Sequence, residues 1–183
     1  MIVLVGASAS GKTELAKLLY QTYGYHKCVT TTTRNPRHNE KNGADYHFLS
    51  HQAFDALIEK DSFLEVTRYQ GEKYGIQKKD VDVHGVVIVD PDGANTLAYK
   101  LKEDAYIIYV ETSESLRSYR MKLREDHPDM IEKRLEFDRS VFHKEHFVKI
   151  DLIVNNEDKP LEDLAFYVHQ AYQLYLRAVV KKV

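Results

Sequence analysis

The chain has 183 residues, of which 43% are hydrophobic and 30% are charged, and its formal net charge is −2. This length and apolar content suit one domain with its own core, and the balanced charge excludes a global basic field for nucleic acid or an anionic membrane. The one cysteine, Cys28, cannot form an internal disulfide and is expected to be a buried thiol, which favours a reducing, cytoplasmic setting. The first apolar run, residues 2–5, is too short for a signal peptide or a membrane span.

That apolar run leads into eight small or polar residues and then a helical pattern from Thr13 onward. Small residues let backbone N–H groups turn inward, and a helix N-terminus adds partial positive charge, so the stretch predicts a phosphate-binding loop. Lys12 is expected to reach the β- and γ-phosphates of a nucleoside triphosphate, and the Thr13 hydroxyl to ligate Mg²⁺. The predicted triphosphate site consists of Gly6, Ala7, Ser8, Ala9, Ser10, Gly11, Lys12 and Thr13.

Short apolar runs predict strands that are buried on both faces, at residues 2–5, 28–31, 86–89, 106–110 and 152–154. Helical patterns separate most of them, at residues 13–23, 94–102, 114–125 and 161–180. The alternation predicts an α/β fold with a five-stranded parallel sheet flanked by helices, whose ligands bind at the carboxyl ends of the strands. Gly6, Thr30, Asp90 and Glu111 lie at such ends.

Two segments interrupt the alternation. Residues 33–79 contain a polar loop, a helix that Ser50 can cap, and a half-exposed strand at 63–69 with a hairpin turn at 70–73, so a small mixed α/β unit is expected. Residues 113–147 read as two charged helices that meet near His127, where Asp129 and Glu132 have the spacing of a capping box. Arginines on such a helical lid are what phosphoryl transfer needs.

One long motif resembles the GMP-binding signature of guanylate kinases: Thr30-Thr31-Thr32-Thr33-Arg34-Asn35-Pro36-Arg37, then Glu40, then Gly43-Ala44-Asp45-Tyr46-His47-Phe48. The resemblance continues in order through Phe63-Leu64-Glu65, Tyr74-Gly75, Asp90-Pro91-Asp92 and Asp151-Leu152-Ile153-Val154-Asn155-Asn156. It implies one guanylate-kinase-like P-loop kinase domain over residues 1–183. The implied core is 1–32, 80–112 and 148–183, with a GMP-binding insertion at 33–79 and a lid at 113–147.

The residues of the motif make chemical sense by themselves. Arg34 and Arg37 flank an extended, proline-restricted segment, and two guanidinium forks suit a phosphate dianion. The hydroxyls of Tyr46 and Tyr74 are expected to donate to the same phosphate. The Glu65 carboxylate is expected to accept from guanine N1–H and N2–H₂, a pair of donors that adenine lacks.

The family resemblance implies the same roles and adds further residues. It places Thr30, Asp90 and Asp92 in the GMP site, with the two aspartates positioning the acceptor or the Mg²⁺ shell. It implies that Arg120, Arg124 and Arg134 meet the transferring phosphates, with Arg139 a less certain match, and that Asn155 lies near the adenine of ATP.

Some residues depart from the family pattern. In the loop, Ala7 and Ala9 replace a proline and a glycine, so Ala9 must avoid a positive φ or accept strain there. Ile76 stands where the family has a hydroxyl that contacts guanine. These departures leave the phosphate chemistry intact and open the question of base specificity.

The resemblance predicts ATP-dependent, Mg²⁺-assisted phosphorylation of GMP or dGMP to GDP or dGDP by direct phosphoryl transfer. The expected partners are ATP and GMP or dGMP, without nucleic acid or membrane, and the chain is expected to be a monomer or a homodimer. A related nucleotide or small-molecule kinase with another acceptor is an alternative that fits Ile76. A non-catalytic binding module is a second alternative, against which Lys12 and Thr13 argue.

Overall fold

A computed structural model describes residues 1–38, 40–69, 71–157 and 159–180. Its strands in chain order are β1 (Ile2–Val5), β2 (His26–Lys27), β3 (Thr31–Thr32), β4 (His47–Phe48), β5 (Phe63–Tyr69), β6 (Glu72–Gln77), β7 (Gly85–Ile88), β8 (Tyr106–Glu111) and β9 (Leu152–Asn155). Its α-helices are α1 (Lys12–Tyr23), α2 (His51–Glu59), α3 (Pro91–Leu101), α4 (Glu114–Leu123), α5 (Pro128–Val141) and α6 (Leu161–Val180). Short 3₁₀ helices occupy Lys78–Asp80, Lys102–Asp104 and Lys144–His146.

The first sheet has five parallel strands in the order β2-β7-β1-β8-β9. β1 lies at its centre, and all four of its residues are buried. The predicted α/β class with a five-stranded parallel sheet is therefore confirmed. Because β1 is central, the loop that follows it opens at the middle of the carboxyl edge, between the ends of β7 and β8.

The second sheet has four strands in the order β4-β3-β6-β5, with β3 parallel to β4 and antiparallel to β6. The prediction of one continuous strand at 28–31 is wrong. β2 ends at Lys27 in the first sheet, and Thr31 and Thr32 pair in the second. Between Lys27 and Thr31 the chain passes from the first sheet to the second. Because the sequence there is continuously rich in β-forming residues, its pattern does not show where one strand ends and the next begins.

The core lies on both faces of the parallel sheet. Alternate residues of β1 point to opposite sides, so Ile2 and Leu4 pack with α1 and α6, and Val3 and Val5 pack with α3. Cys28 is buried as expected, and burial raises the pKa of its thiol to about 12. This packing leaves the carboxyl edge of the sheet free for ligands.

Two helix starts were predicted from the sequence. The Ser50 hydroxyl accepts a hydrogen bond from the Ala53 N–H at 3.1 Å, which confirms it as the cap of α2. The prediction for α5 was wrong, because its N-cap is His127 and not Asp129. Pro128 explains the shift: its fixed φ and missing N–H suit the first helical position, which places the cap one residue earlier.

The hairpin turn predicted at 70–73 includes Gln70, which lies outside the described residues, although β5 and β6 pair on either side of it. Among the described helices, none combines the length and the apolar character needed to cross a membrane.

Candidate active site

The loop between β1 and α1 is shaped by close backbone approaches. Gly6 has φ 147, and a Cβ there would lie 2.4 Å from the Val110 carbonyl oxygen of β8. Gly11 has φ 96, and a Cβ there would lie 2.1 Å from Asn156 Nδ2. Gly11 also caps α1 without a side-chain hydrogen bond, so the first N–H groups of the helix stay open. An open helix N-terminus of this kind is suited to binding an anion.

Lys12 folds back over this loop. Its Nζ donates to the carbonyls of Gly6 at 2.6 Å and Ala7 at 2.8 Å, and lies 3.3 Å from Ser10 Oγ. Burial lowers the pKa of Lys12 to about 8, with Asp138 opposing the shift and Arg117 adding to it. A cation is thus held at the mouth of the loop, close to the open end of α1.

Ala9 adopts a positive φ and so accepts backbone strain, which was one of the two outcomes expected for this residue. Its φ is 60, in the left-handed region that an alanine occupies at a cost of roughly 1–2 kcal/mol. Its carbonyl accepts from Arg120 at 3.3 Å. The loop therefore keeps the conformation of a glycine-containing loop, although the residue is alanine.

The opposite side of the loop is supported by residues that sequence reasoning missed. The Ser10 carbonyl accepts from Asn156 Nδ2 at 2.8 Å and from Thr112 Oγ1 at 3.1 Å, and all three residues are buried. Thr112 directly follows β8, so its position at a strand end was a signal that could have found it. Asn155, which was expected near the adenine of ATP, is exposed and lines a cavity with Lys159 and Tyr167 that includes no residue of the loop.

The lid arginines divide into two groups. Arg120 contacts the loop through Ala9 and through the Asn156 carbonyl, at 3.0 Å. Arg124 lines the cavity at the loop, yet its guanidinium donates to Asp126 at 2.9 Å. Arg134 donates to the same carboxylate at 2.8 Å and does not line that cavity. The structure thus brings Arg120 to the loop and holds Arg124 and Arg134 at Asp126.

A second set of missed residues links the lid to Ser8. These residues are Arg117 on α4 and Asp138 on α5, which are bonded to each other at 2.8 Å. Asp138 lies 130 residues from Ser8 in sequence, so no local pattern could have marked it.

On the other side of the cleft, Glu65 lies in a cavity of about 220 Å³. Its side chain is buried, and burial raises the pKa of its carboxyl to about 7, with the charge of Asp90 adding to the shift. No hydrogen bond to this carboxylate is found among the described residues. The cavity is lined by Thr30, Tyr46, Glu65, Thr67, Tyr74, Ile76, Ile88, Val89, Asp90 and Gly93.

Two residues expected to bind the phosphate of GMP, Tyr46 and Tyr74, line this cavity, and Arg34 lies beside Tyr46. The rings of Tyr46 and Tyr74 meet edge to face at 6.3 Å, and the Arg34 guanidinium lies 5.4 Å from the Tyr46 ring centroid. Glu40, for which no role was predicted, accepts from Arg34 at 2.8 and 2.9 Å and from the Arg37 N–H at 2.8 Å. The Arg37 side chain is exposed. Arg34 is therefore neutralised by Glu40 in this state.

The two aspartates after β7 differ in their positions. Asp90 caps α3, its carboxylate accepting from the Gly93 N–H at 2.8 Å, and it lines the Glu65 cavity. Asp92 is exposed in the first turn of α3 and does not line that cavity.

Three neighbouring cavities that share lining residues lie between the loop and Glu65. The cavity at the loop includes Lys12, Thr13 and Arg120, and a second one of about 450 Å³ shares Thr13 with it. The second cavity in turn shares Thr30, Tyr46 and Ile88 with the Glu65 cavity. Thr13 thus forms part of the wall of both the cavity at the loop and the cavity that adjoins the Glu65 cavity.

The residues at the loop also fit a divalent cation. Among the described residues, no group of three His, Cys, Asp or Glu side chains gathers to hold a metal. The exposed Thr13 hydroxyl at the start of α1 offers one oxygen at the loop. Mg²⁺ typically keeps several waters and binds through one or two protein oxygens together with substrate phosphates, so a single oxygen here suits it.

Comparisons with known proteins agree with this geometry. The sequence model described as guanylate kinase matches residues 1–171. The chain belongs to the guanylate kinase family. A guanylate kinase of Maricaulis maris is 33% identical, over 92% of this chain and 82% of that protein. One from Polaromonas sp. is 30% identical, over 92% of this chain and 86% of that protein. The crystal structure of guanylate kinase from Anaplasma phagocytophilum superposes with a TM-score of 0.67 at 25% identity, covering 94% and 85% of the two chains. The superposition therefore spans most of both chains.

Proposed function

We propose that this chain is a guanylate kinase, which transfers the γ-phosphoryl group of ATP directly to the phosphate of GMP or dGMP. The observation that carries the proposal is the row of adjacent cavities from the Lys12 loop to Glu65, which share Thr13 and Tyr46 as lining residues. Phosphoryl transfer between two bound nucleotides requires that both reactants be held in line. A loop suited to phosphates at one end and a buried carboxylate at the other meet this requirement.

At the donor end, the open N–H groups of α1 and the ammonium of Lys12 would hold the β- and γ-phosphates of ATP. Lys12 would exchange its loop carbonyls for phosphate oxygens. Arg120 is already at the loop, whereas Arg124 and Arg134 would have to turn away from Asp126 to reach the transferring group. Thr13 would hold Mg²⁺, which supplies charge neutralisation on the phosphate oxygens when it is bound.

At the acceptor end, Glu65 would accept from guanine N1–H and N2–H₂, the donors that distinguish guanine from adenine. Arg34, Arg37, Tyr46 and Tyr74 would bind the phosphate of GMP. Arg34 would exchange one charged acceptor, Glu40, for another, so its guanidinium stays compensated in both states. Thr30 and Asp90 would complete the pocket wall, and Asp92 would need a change of position to take part.

The chemistry requires little of the protein beyond placement and charge. An oxygen of the acceptor phosphate bonds to the γ-phosphorus of ATP while the bond from that phosphorus to the β–γ bridging oxygen breaks, which leaves ADP and a nucleoside diphosphate. Positive groups aimed at the transferring oxygens stabilise this transition state, so Lys12 and the lid arginines are assigned the catalytic roles.

The division of the chain follows from these roles. We assign residues 33–79 as the GMP-binding insertion, 113–147 as the lid, and the remaining segments as the core of one domain. The buried Cys28 thiol is compatible with a reducing compartment, and we propose a cytoplasmic location.

The direct test is to incubate the protein with ATP, Mg²⁺ and GMP and to separate the nucleotides by chromatography. The proposal predicts ADP and GDP in equal amounts, and no ADP when GMP is omitted. Formation of ADP without GDP would show that the protein is an ATPase and not a GMP kinase. Binding of both nucleotides without any turnover would support the non-catalytic module.

A further inference from the structure

Both lid helices, α4 and α5, bond to Ser8 of the phosphate-binding loop. The Asp138 carboxylate of α5 accepts from the Ser8 N–H at 2.9 Å and from the Ser8 hydroxyl at 3.2 Å. Arg117 of α4 donates to the same carboxylate at 2.8 Å and to the Ser8 carbonyl at 3.4 Å. Asp138 is 4% exposed and Arg117 is 6% exposed, so the cluster is closed to water.

A buried ion pair of this kind needs a reason beyond stability. Removing two charges from water costs several kcal/mol, and an apolar pair of similar volume is often equally stable or more so. Here the compensation is also incomplete, since Arg117 Nε is buried without a partner among the described residues. The pair does, however, fix a backbone N–H and a carbonyl of the loop, which an apolar pair cannot do.

The loop needs such fixing because of its next residue. Ala9 has φ 60, and strain of this kind persists only where the surroundings over-determine the backbone. The lid supplies bonds on both sides of the strained position, from Asp138 and Arg117 to Ser8 and from Arg120 to the Ala9 carbonyl. Without them the alanine is free to relax out of the left-handed region.

We propose that Asp138 and Arg117 are positioning residues that hold the loop in its triphosphate-binding shape against the strain at Ala9. The inference rests on the proposed function for the identity of the ligand, ATP. It places the support of the donor site on the lid, so the position of the lid and the shape of the loop are coupled. The GMP phosphate site lies at the other end of the cleft and does not depend on this cluster.

The test measures the Kd for ATP by calorimetry in the absence of acceptor. The Kd for GMP and the thermal unfolding temperature are measured on the same variants. Asp138→Asn keeps the shape and removes the charge; it should raise the Kd for ATP about tenfold, the usual worth of a charge-assisted hydrogen bond, and leave the Kd for GMP within about twofold. Glu114→Gln is the matched control, because it removes an exposed ion pair with Arg139 that joins the same helices and approaches Arg117 no closer than 3.9 Å. It should change neither Kd.

A folding defect is separated from a positioning defect by a double variant. Arg117→Met with Asp138→Leu replaces the pair by apolar groups, so the melting temperature should hold while ATP binding weakens as in Asp138→Asn. A folded double variant with unchanged ATP affinity would overturn the inference.

The role of strain is tested by repeating Asp138→Asn in an Ala9→Gly background. Glycine adopts φ 60 freely, so the effect of Asp138→Asn should shrink from about tenfold to less than about threefold. An equal effect in both backgrounds would contradict the proposed action through Ala9. Wild-type protein that binds ATP but does not phosphorylate GMP would refute the proposed function alone, and wild-type protein that does not bind ATP would refute both.

Discussion

Glu65 and Ile76 stand opposite each other on the antiparallel strands β5 and β6, and both side chains line the same cavity. Glu65 is 8% exposed and Ile76 is 1% exposed. The apolar partner excludes water from the carboxylate, and burial together with Asp90 raises the pKa of Glu65 to about 7. The carboxylate that distinguishes guanine thus changes its charge near neutral pH.

This pKa predicts that GMP affinity rises with pH. Only the ionised carboxylate accepts both guanine donors, and it forms above about pH 7. At about pH 6 roughly one molecule in ten is ionised, so the Kd for GMP should be about tenfold higher there than at about pH 8. Calorimetric titration at a series of pH values measures it.

The phosphate of GMP also titrates near pH 6, so the wild-type profile needs a reference. Glu65→Gln provides it, because this variant keeps the phosphate contacts and cannot ionise. The wild-type Kd should fall more steeply with pH than that of the variant. Parallel profiles would exclude ionisation of Glu65 as the cause. The variant should also lose most of the preference for GMP over AMP.

Ile76→Ser should have two opposed effects. The new hydroxyl faces the base pocket, and a neutral hydrogen bond contributes about 0.5–1.5 kcal/mol, so kcat/KM for GMP should rise roughly three- to tenfold. Ile76 also belongs to a buried apolar cluster, and truncating it should cost about 2–4 kcal/mol of unfolding free energy. Ile88→Ser, at a partly exposed position of the same cavity, is the control for stability and should cost less than about 1 kcal/mol. A fall in kcat/KM for the folded Ile76→Ser protein would show that the apolar wall itself serves binding.

Lys12→Ala should lower kcat at least about 10²-fold, because it removes a fixed charge aimed at the transferring phosphate. The fold should persist, since among the described residues the Lys12 ammonium bonds only to loop atoms. Lys17→Ala is the matched control: Lys17 lies on the same helix, is exposed and pairs with Glu14. Steady-state kinetics with circular dichroism separate activity from folding, and an active Lys12→Ala protein would refute the assigned mechanism.

The lowered pKa of Lys12 predicts proton uptake when ATP binds. Burial holds this pKa at about 8 in the free protein, and a bound triphosphate favours the protonated form, so binding raises it. Above about pH 8, ATP binding should therefore take up a proton and weaken as pH rises. Calorimetry in two buffers of different ionisation enthalpy measures the uptake, and Lys12→Ala should abolish it. Equal heats in the two buffers would contradict it.

The elements that local periodicity determines were predicted best from the sequence. β1 and α6 have the predicted bounds, because a continuous apolar run and a long helical repeat each belong to one element. The stretch 28–31 was mispredicted because it is shared between two sheets, and which strand a residue pairs with depends on distant partners.

The same contrast holds for the site. Gly6 and Asp90 could be placed at the carboxyl edge because they come just after β1 and β7, and the strand ends of a parallel sheet meet at one edge. Asp138 and Asn156 could not, because they reach the loop only after the lid and β9 have packed, at separations of 130 and 146 residues. For Arg124 and Arg134 the family resemblance implied phosphate contact, while in this structure both side chains donate to Asp126.

If the adjacent cavities bind ATP and a guanine nucleotide together, the rate of ADP formation depends on the base of the acceptor. ADP formation by the wild-type protein should be compared across GMP, dGMP, AMP, CMP, UMP and dTMP as acceptors. Bound adenine would leave the Glu65 carboxylate without a hydrogen-bond donor, so kcat/KM for AMP should be lower than for GMP by up to about 10⁴-fold. GMP or dGMP should therefore have a higher kcat/KM than every other acceptor. A preference for AMP or for a pyrimidine nucleotide would contradict the account.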